Sequence, residues 1–155
     1  MGGTIEPGCL GCAIARGDVA PPGGAIVETA RFHAHQDVSC PIPGFVILAT
    51  RRHVRCFDEL TDDEAAEHGR LVRRLRAAQR AVLGAEHVYY FLNEDTRHHF
   101  HSWLLPRLGW MDAFGRYVES VRPILTHARE HLNGPEQRAE VERVATRLRE
   151  YLQGD

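Results

Sequence analysis

Three histidines fall within four positions in His98-His99-Phe100-His101, and Ser102-Trp103-Leu104-Leu105-Pro106-Arg107 follow. Imidazole changes charge near neutral pH, and its neutral form is both a nucleophile and a metal ligand. In an extended chain, alternate side chains share a face. His99, His101, Trp103 and Leu105 then point one way, while His98, Phe100, Ser102 and Leu104 point the other. The first face suits a reactive site, and Phe100 with Leu104 suits a core. A second group, Cys9-Leu10-Gly11-Cys12, has the spacing of half a metal site or of a dithiol redox motif. A thioredoxin-like redox pair follows a strand and opens a helix. This pair lies in a glycine-rich entry segment, so metal is the preferred reading, with two further ligands needed. On residue types alone, a polar strand face and two reduced thiols without metal remain the plain alternatives.

The bulk properties narrow the chemistry. The chain has 155 residues, the size of one domain, and a formal net charge of −2. That balance lacks the basic footprint of a protein for duplex DNA or anionic membrane. All 19 basic residues are arginine, which excludes Schiff-base and P-loop lysine chemistry. No apolar run is long enough to span a bilayer. The segment MGGTIEPGC lacks the charged-then-apolar pattern of a signal peptide. A cytoplasmic setting is expected, in which Cys9, Cys12, Cys40 and Cys56 form no disulfide framework.

The elements that must position these groups read as α+β. Strands are expected over 25–29, 31–37, 45–50, 87–94 and 99–106, the last two as a hairpin, giving an antiparallel sheet of about five strands. One long helix is inserted between them. Thr61 and Glu64 form a capping box at its start, Leu71, Val72, Leu75, Ala78, Val82 and Leu83 keep helical spacing, and Gly84 ends it. C-terminal helices are expected over 111–132, kinked or interrupted at Pro123, and over 136–152. The arginines of the long helix (Arg70, Arg73, Arg74, Arg76 and Arg80) read as a solvated face. His68, His87, His127 and His131 are given no role. His33 and His35 share a face, but whether it meets a cleft or solvent is not legible.

HFHSWLLPR resembles the signature of the histidine-triad (HIT) family. His99 matches the first histidine and His101 the second, and Trp103 stands where a third is usual. The resemblance runs in order from residue 9 to residue 107, through CLGCAIARGDVAPP, AIVE, FHAHQD, PGFVILATRRHV, FDELTDDE and FLNE. It implies a HIT-like catalytic domain over 1–110 and a helical extension over 111–155. It implies that His101 attacks the α-phosphorus of a nucleotide conjugate, such as a dinucleoside polyphosphate or phosphoramidate. A nucleotidyl-histidine would form, to be resolved by water or another acceptor, while the other ring nitrogen donates to a backbone carbonyl. It also implies structural zinc held by Cys9, Cys12, His53 and His99, a closed Cys₂His₂ set. His35 and His98 are competing ligands, with His98 expected to point the wrong way.

Among substrate contacts, the resemblance places Asp37 at ribose hydroxyls and Asn93 near the phosphate. As residue types, Asp37 reads equally as a turn initiator, and Thr96 and Arg97 stand in a shortened phosphate loop. Trp103 either donates its indole N–H to a phosphate oxygen or merely packs; it cannot carry a proton. The implied activity is that of a hydrolase or nucleotidyltransferase. A nucleotide-binding or regulatory protein with little turnover, and catalytic zinc hydrolysis, are the rivals. A homodimer is expected, with no nucleic-acid or membrane partner.

Overall fold

A computed structural model describes residues 7–95 and 99–154. The first element, α1 (Leu10–Arg16), was not expected. Seven residues carry too little apolar periodicity to be recognised, and so short a helix is marginal by itself. It forms because both ends are satisfied. Cys9 is its N-cap, with Sγ accepting from Cys12 N, and Gly17 adopts the left-handed conformation that closes the C-terminus. Arg51 pins it to the sheet by donating to Ala15 O at 3.1 Å and to Thr29 O at 2.7 Å.

The strands are β1 (Ala25–Glu28), β2 (Phe32–Gln36), β3 (Val46–Thr50), β4 (Val88–Leu92) and β5 (His101–Pro106). They form one antiparallel sheet in the spatial order β1-β2-β3-β5-β4. Residues of β2 and β3 are buried throughout, because both faces of the sheet centre are covered. The register sets two rows across one face. His33 pairs with Ala49, which pairs with His101. His35 pairs with Ile47, Ile47 with Trp103, and Trp103 with Phe91.

The helix α2 (Asp62–Leu83) follows the expected signals. Thr61 Oγ1 accepts from Glu64 N at 3.2 Å, and Glu64 accepts from Thr61 N at 2.9 Å, satisfying two otherwise orphaned donors. Pro123 does not kink a long helix. Residues 109–114 and 118–120 form 3-10 turns, and α3 (Val121–His131) starts just before the proline. Its first turn has free N–H positions, so proline removes no helical bond there. The last helix, α4 (Pro135–Gln153), has proline at its start.

Two cores result. Behind the sheet, Leu71, Leu75 and Ala78 of α2 and Val144, Ala145, Leu148 and Leu152 of α4 pack on Phe32, Ala34, Val46, Leu48 and Leu104. In front, Val121, Ile124, Leu125 and Ala128 of α3 pack on Phe45, Ile47 and Leu105. The front face is thus walled by α1 at one side and α3 at the other. Among the described residues, no helix is long and apolar enough to cross a membrane.

Candidate active site and metal-binding cluster

Cys9, Cys12, His53 and His99 each offer one ligand atom, and these four atoms lie within 4.8 Å of one another. His99 Nδ1 is 3.6 Å from Cys9 Sγ and 3.4 Å from Cys12 Sγ, and His53 Nδ1 is 3.3 Å from Cys12 Sγ. Tetrahedral zinc, with its usual bond lengths to sulfur and nitrogen, sets neighbouring S and N ligands about 3.6 Å apart. The donor set and the spacings therefore fit zinc. His99 Nε2–H donates to Thr50 O, which orients the ring and leaves Nδ1 with its lone pair. Burial pushes the His99 imidazole down to about 4, so it stays neutral. His53 follows Arg52, whose guanidinium grips Glu64 of the capping box at 3.1 and 2.8 Å. Gly11 permits the close approach of α1: a Cβ there would stand 2.6 Å from His99 Cβ.

Between α1 and the front face of the sheet, a cleft of about 180 Å³ is lined by Leu10, Ile14, His35, Asp37, Ala49, His101 and Trp103 among others. His101 Nδ1 lies 2.8 Å from His99 O. A carbonyl only accepts, so Nδ1 carries the proton and Nε2 keeps its lone pair. His99, His101 and Trp103 share the front face. Phe100 and Ser102 face back, where the Phe100 and His68 rings lie 5.7 Å apart and Ser102 Oγ meets His68 Nε2 at 2.6 Å. The Trp103 ring stacks near His101 at 6.3 Å and 29°, and packs edge-on against Phe45 and Phe91 at 5.7 and 6.3 Å.

The expected substrate contacts separate. Asp37 lines the cleft, but its Oδ1 also initiates a turn by accepting from Ser39 N at 2.9 Å and Cys40 N at 2.7 Å. Asn93 is exposed and follows Leu92, the partner of Ser102 beside His101, and it lines a groove of about 600 Å³ against α3 rather than the His101 cleft. Thr96, Arg97 and His98 lie outside the described residues.

Sequence reasoning left the face of His33 and His35 open, named His35 as a competing metal ligand and gave His68 no role; His35 is not part of the four-residue cluster. His33 and His35 are buried on the front face, stacked at 5.4 Å. His35 Nδ1–H donates to Gln36 O at 2.8 Å, and its ring lines the cleft. Burial pushes His33 down to about 3 and lowers His35 as well. Their alternation was the only available signal. His68 is buried behind the sheet, where burial lowers its pKa and Tyr90 Oη lies 3.2 Å away. It braces β5 at Ser102, next to His101. Nothing in a lone helical histidine marks that role.

No protein-family model matches the sequence, and neither does any curated protein. Solved structures do match. A zinc-bound histidine triad family protein from Mycobacterium smegmatis superposes with a TM-score of 0.69 at 21% identity, over 95% of this chain and 94% of that one. A hypothetical histidine triad nucleotide-binding protein from Sulfolobus tokodaii gives 0.68 at 17%, over 94% and 93%. A Hit-like protein involved in cell-cycle regulation from Bartonella henselae gives 0.67 at 13%, over 96% and 99%.

Proposed function

We propose, on the premise that this chain has the histidine-triad fold, that it is a nucleotide hydrolase or nucleotidyltransferase acting at the α-phosphate of a nucleotide conjugate. The observation that carries this reading is the His101 ring in the cleft, its Nδ1–H held by the His99 carbonyl at 2.8 Å. Nε2 attacks the α-phosphorus. The P–N bond forms, the bond to the leaving group breaks, and the electron pair departs with that group. Positive charge on the imidazole is shared with the Nδ1–H···O=C bond. Water or an acceptor hydroxyl then attacks phosphorus, the P–N bond breaks, its electron pair returns to Nε2, and the attacking oxygen's proton passes to solvent.

Asp37 supports ribose binding with Oδ2, since Oδ1 is the oxygen committed to the turn. Asn93, Thr96 and Trp103 are assigned to the phosphate and leaving-group side. Cys9, Cys12, His53 and His99 would hold zinc, as their spacing and the zinc-bound relative support. The metal supplies a closed structural clamp, tying α1 to the residue two before His101. Residues 1–110 carry the reacting groups and 111–155 form an extension that walls the site. The reading includes a homodimer in the cytoplasm, a reducing compartment that accords with Cys9, Cys12, Cys40 and Cys56 forming no disulfide.

One observation favours a second reading. Trp103 packs between Phe45 and Phe91 and offers no proton, which suits a nucleotide-binding protein with little turnover. A screen of nucleotide conjugates read by mass spectrometry separates the two. A phosphorus adduct on His101, absent from His101→Ala, supports the enzyme. Tight binding with neither adduct nor product overturns it in favour of the binder.

A further inference from the structure

The groove beyond Trp103 is built by two elements. From the sheet come Phe91, Asn93 and Trp103. From α3 come Arg122, Leu125, Thr126 and Arg129, which stand at i, i+3, i+4 and i+7 and so form one stripe of the helix. Among the described residues, none that lines the groove is acidic. Among the described residues, Arg122 and Arg129 pair with no carboxylate. Two such guanidinium groups at the rim of an aromatic groove favour an anionic ligand with an apolar body.

The groove also adjoins the reacting centre. Trp103 lines both it and the His101 cleft, and the two rings lie 6.3 Å apart. A conjugate attacked at phosphorus by His101 has to send its departing half to one side. Beyond Asp37 and Val38 the cleft opens toward a different concavity, of about 460 Å³, which holds both Arg138 and Glu142. The α3 side offers arginines alone. Among the described residues its lining holds no histidine, carboxylic acid or thiol, so none of these hands a proton to the departing atom near neutral pH. The indole N–H donates a hydrogen bond but not a proton.

We propose that this groove is the leaving-group subsite. It selects conjugates whose departing half leaves as an anion, a phosphate or carboxylate of a phosphoanhydride or acyl phosphate, neutralised by Arg122 and Arg129. This rests on the reading of His101 as nucleophile. As the P–O bond breaks, the electron pair stays on the departing oxygen, which needs no proton. An amine leaving from a phosphoramidate does need one and is disfavoured.

The test uses the full chain and the Arg122→Gln/Arg129→Gln double variant. Both positions are exposed, and matching thermal transitions confirm that the variant folds. The two substrates are diadenosine tetraphosphate and the adenosine 5′-phosphoramidate of a neutral amine. The variant should lose about tenfold or more in kcat/KM for the anhydride and stay within about twofold for the phosphoramidate. Equal losses on both, or no loss on either, overturn the subsite. Should neither substrate be turned over or form an adduct, the function reading fails alone, and phenyl phosphate titrated against tryptophan fluorescence still tests the groove. Binding weakened about tenfold or more in the variant supports an anion subsite there, while equal affinity, or no binding to either protein, overturns it.

Discussion

His101 and the indole beside it set the chemistry at the scale of single residues. Because Nδ1 is held by a backbone carbonyl, His101→Ala should remove the nucleophile without disturbing Asp37 or the apolar walls. Turnover should fall on the order of a thousandfold or more while nucleotide binding persists; steady-state rates paired with calorimetry check this. Retained turnover would remove the nucleophile from this position. Trp103→His brings a proton carrier to the departing side but takes the indole edge away from Phe45 and Phe91. It should cost about 2 kcal/mol of stability, and it should raise phosphoramidate turnover relative to that of the anhydride. A variant as stable as the wild type, by urea titration, would mean that the edge contacts contribute little.

Among the elements, α1 depends most on what it touches. Its seven residues are held by caps, by Arg51 and by the thiol–imidazole cluster. Zinc held by these four residues would contribute directly to folding. The protein should therefore copurify with one zinc per chain, and Cys9→Ser/Cys12→Ser should lose the metal and melt at lower temperature. A wild-type melting point indifferent to chelator would count against the clamp. Gly11→Ala should act on the same element, because its Cβ would collide with His99. Metal content by elemental analysis should drop in that variant even though all four ligands are intact.

Over the whole molecule, the helices after residue 110 share in both cores. Leu148 of α4 is fully buried behind the sheet with Leu75 and Leu104. Leu148→Ala should cost about 2–5 kcal/mol, measured as a lower urea midpoint with an unchanged slope. Acid should act through His68, whose pKa burial lowers from 6.5. The unfolded chain then binds the proton more readily than the folded one. Stability from this source is fully present above about pH 6.5 and is lost as the pH falls toward the folded value. In His68→Gln the fall in this window should be shallower, by up to about 1.4 kcal/mol per pH unit. Thermal scans between pH 7 and pH 5 measure the difference, and parallel curves would assign the acid sensitivity to other groups.

Local chemistry was legible from the sequence alone. The two-residue period of a strand placed His99, His101 and Trp103 on one face, opposite Phe100 and Ser102. The Thr61–Glu64 capping box opened α2, and five extended runs became one antiparallel sheet. Each of these depends on hydrogen bonds and side-chain directions set within a few residues. Tertiary structure alone decided what lies far apart in the chain. It brought Cys9, His53 and His99 together, a set that the family resemblance implied but no local pattern could, and turned His33 and His35 inward, because strand order and the covering of both sheet faces are properties of the packed whole. It made Asn93 part of a groove against α3, since that depends on where α3 lands. It also made α1 a helix and moved the start of α3 to Val121. A short segment takes the conformation its neighbours satisfy, and those neighbours are not adjacent in sequence.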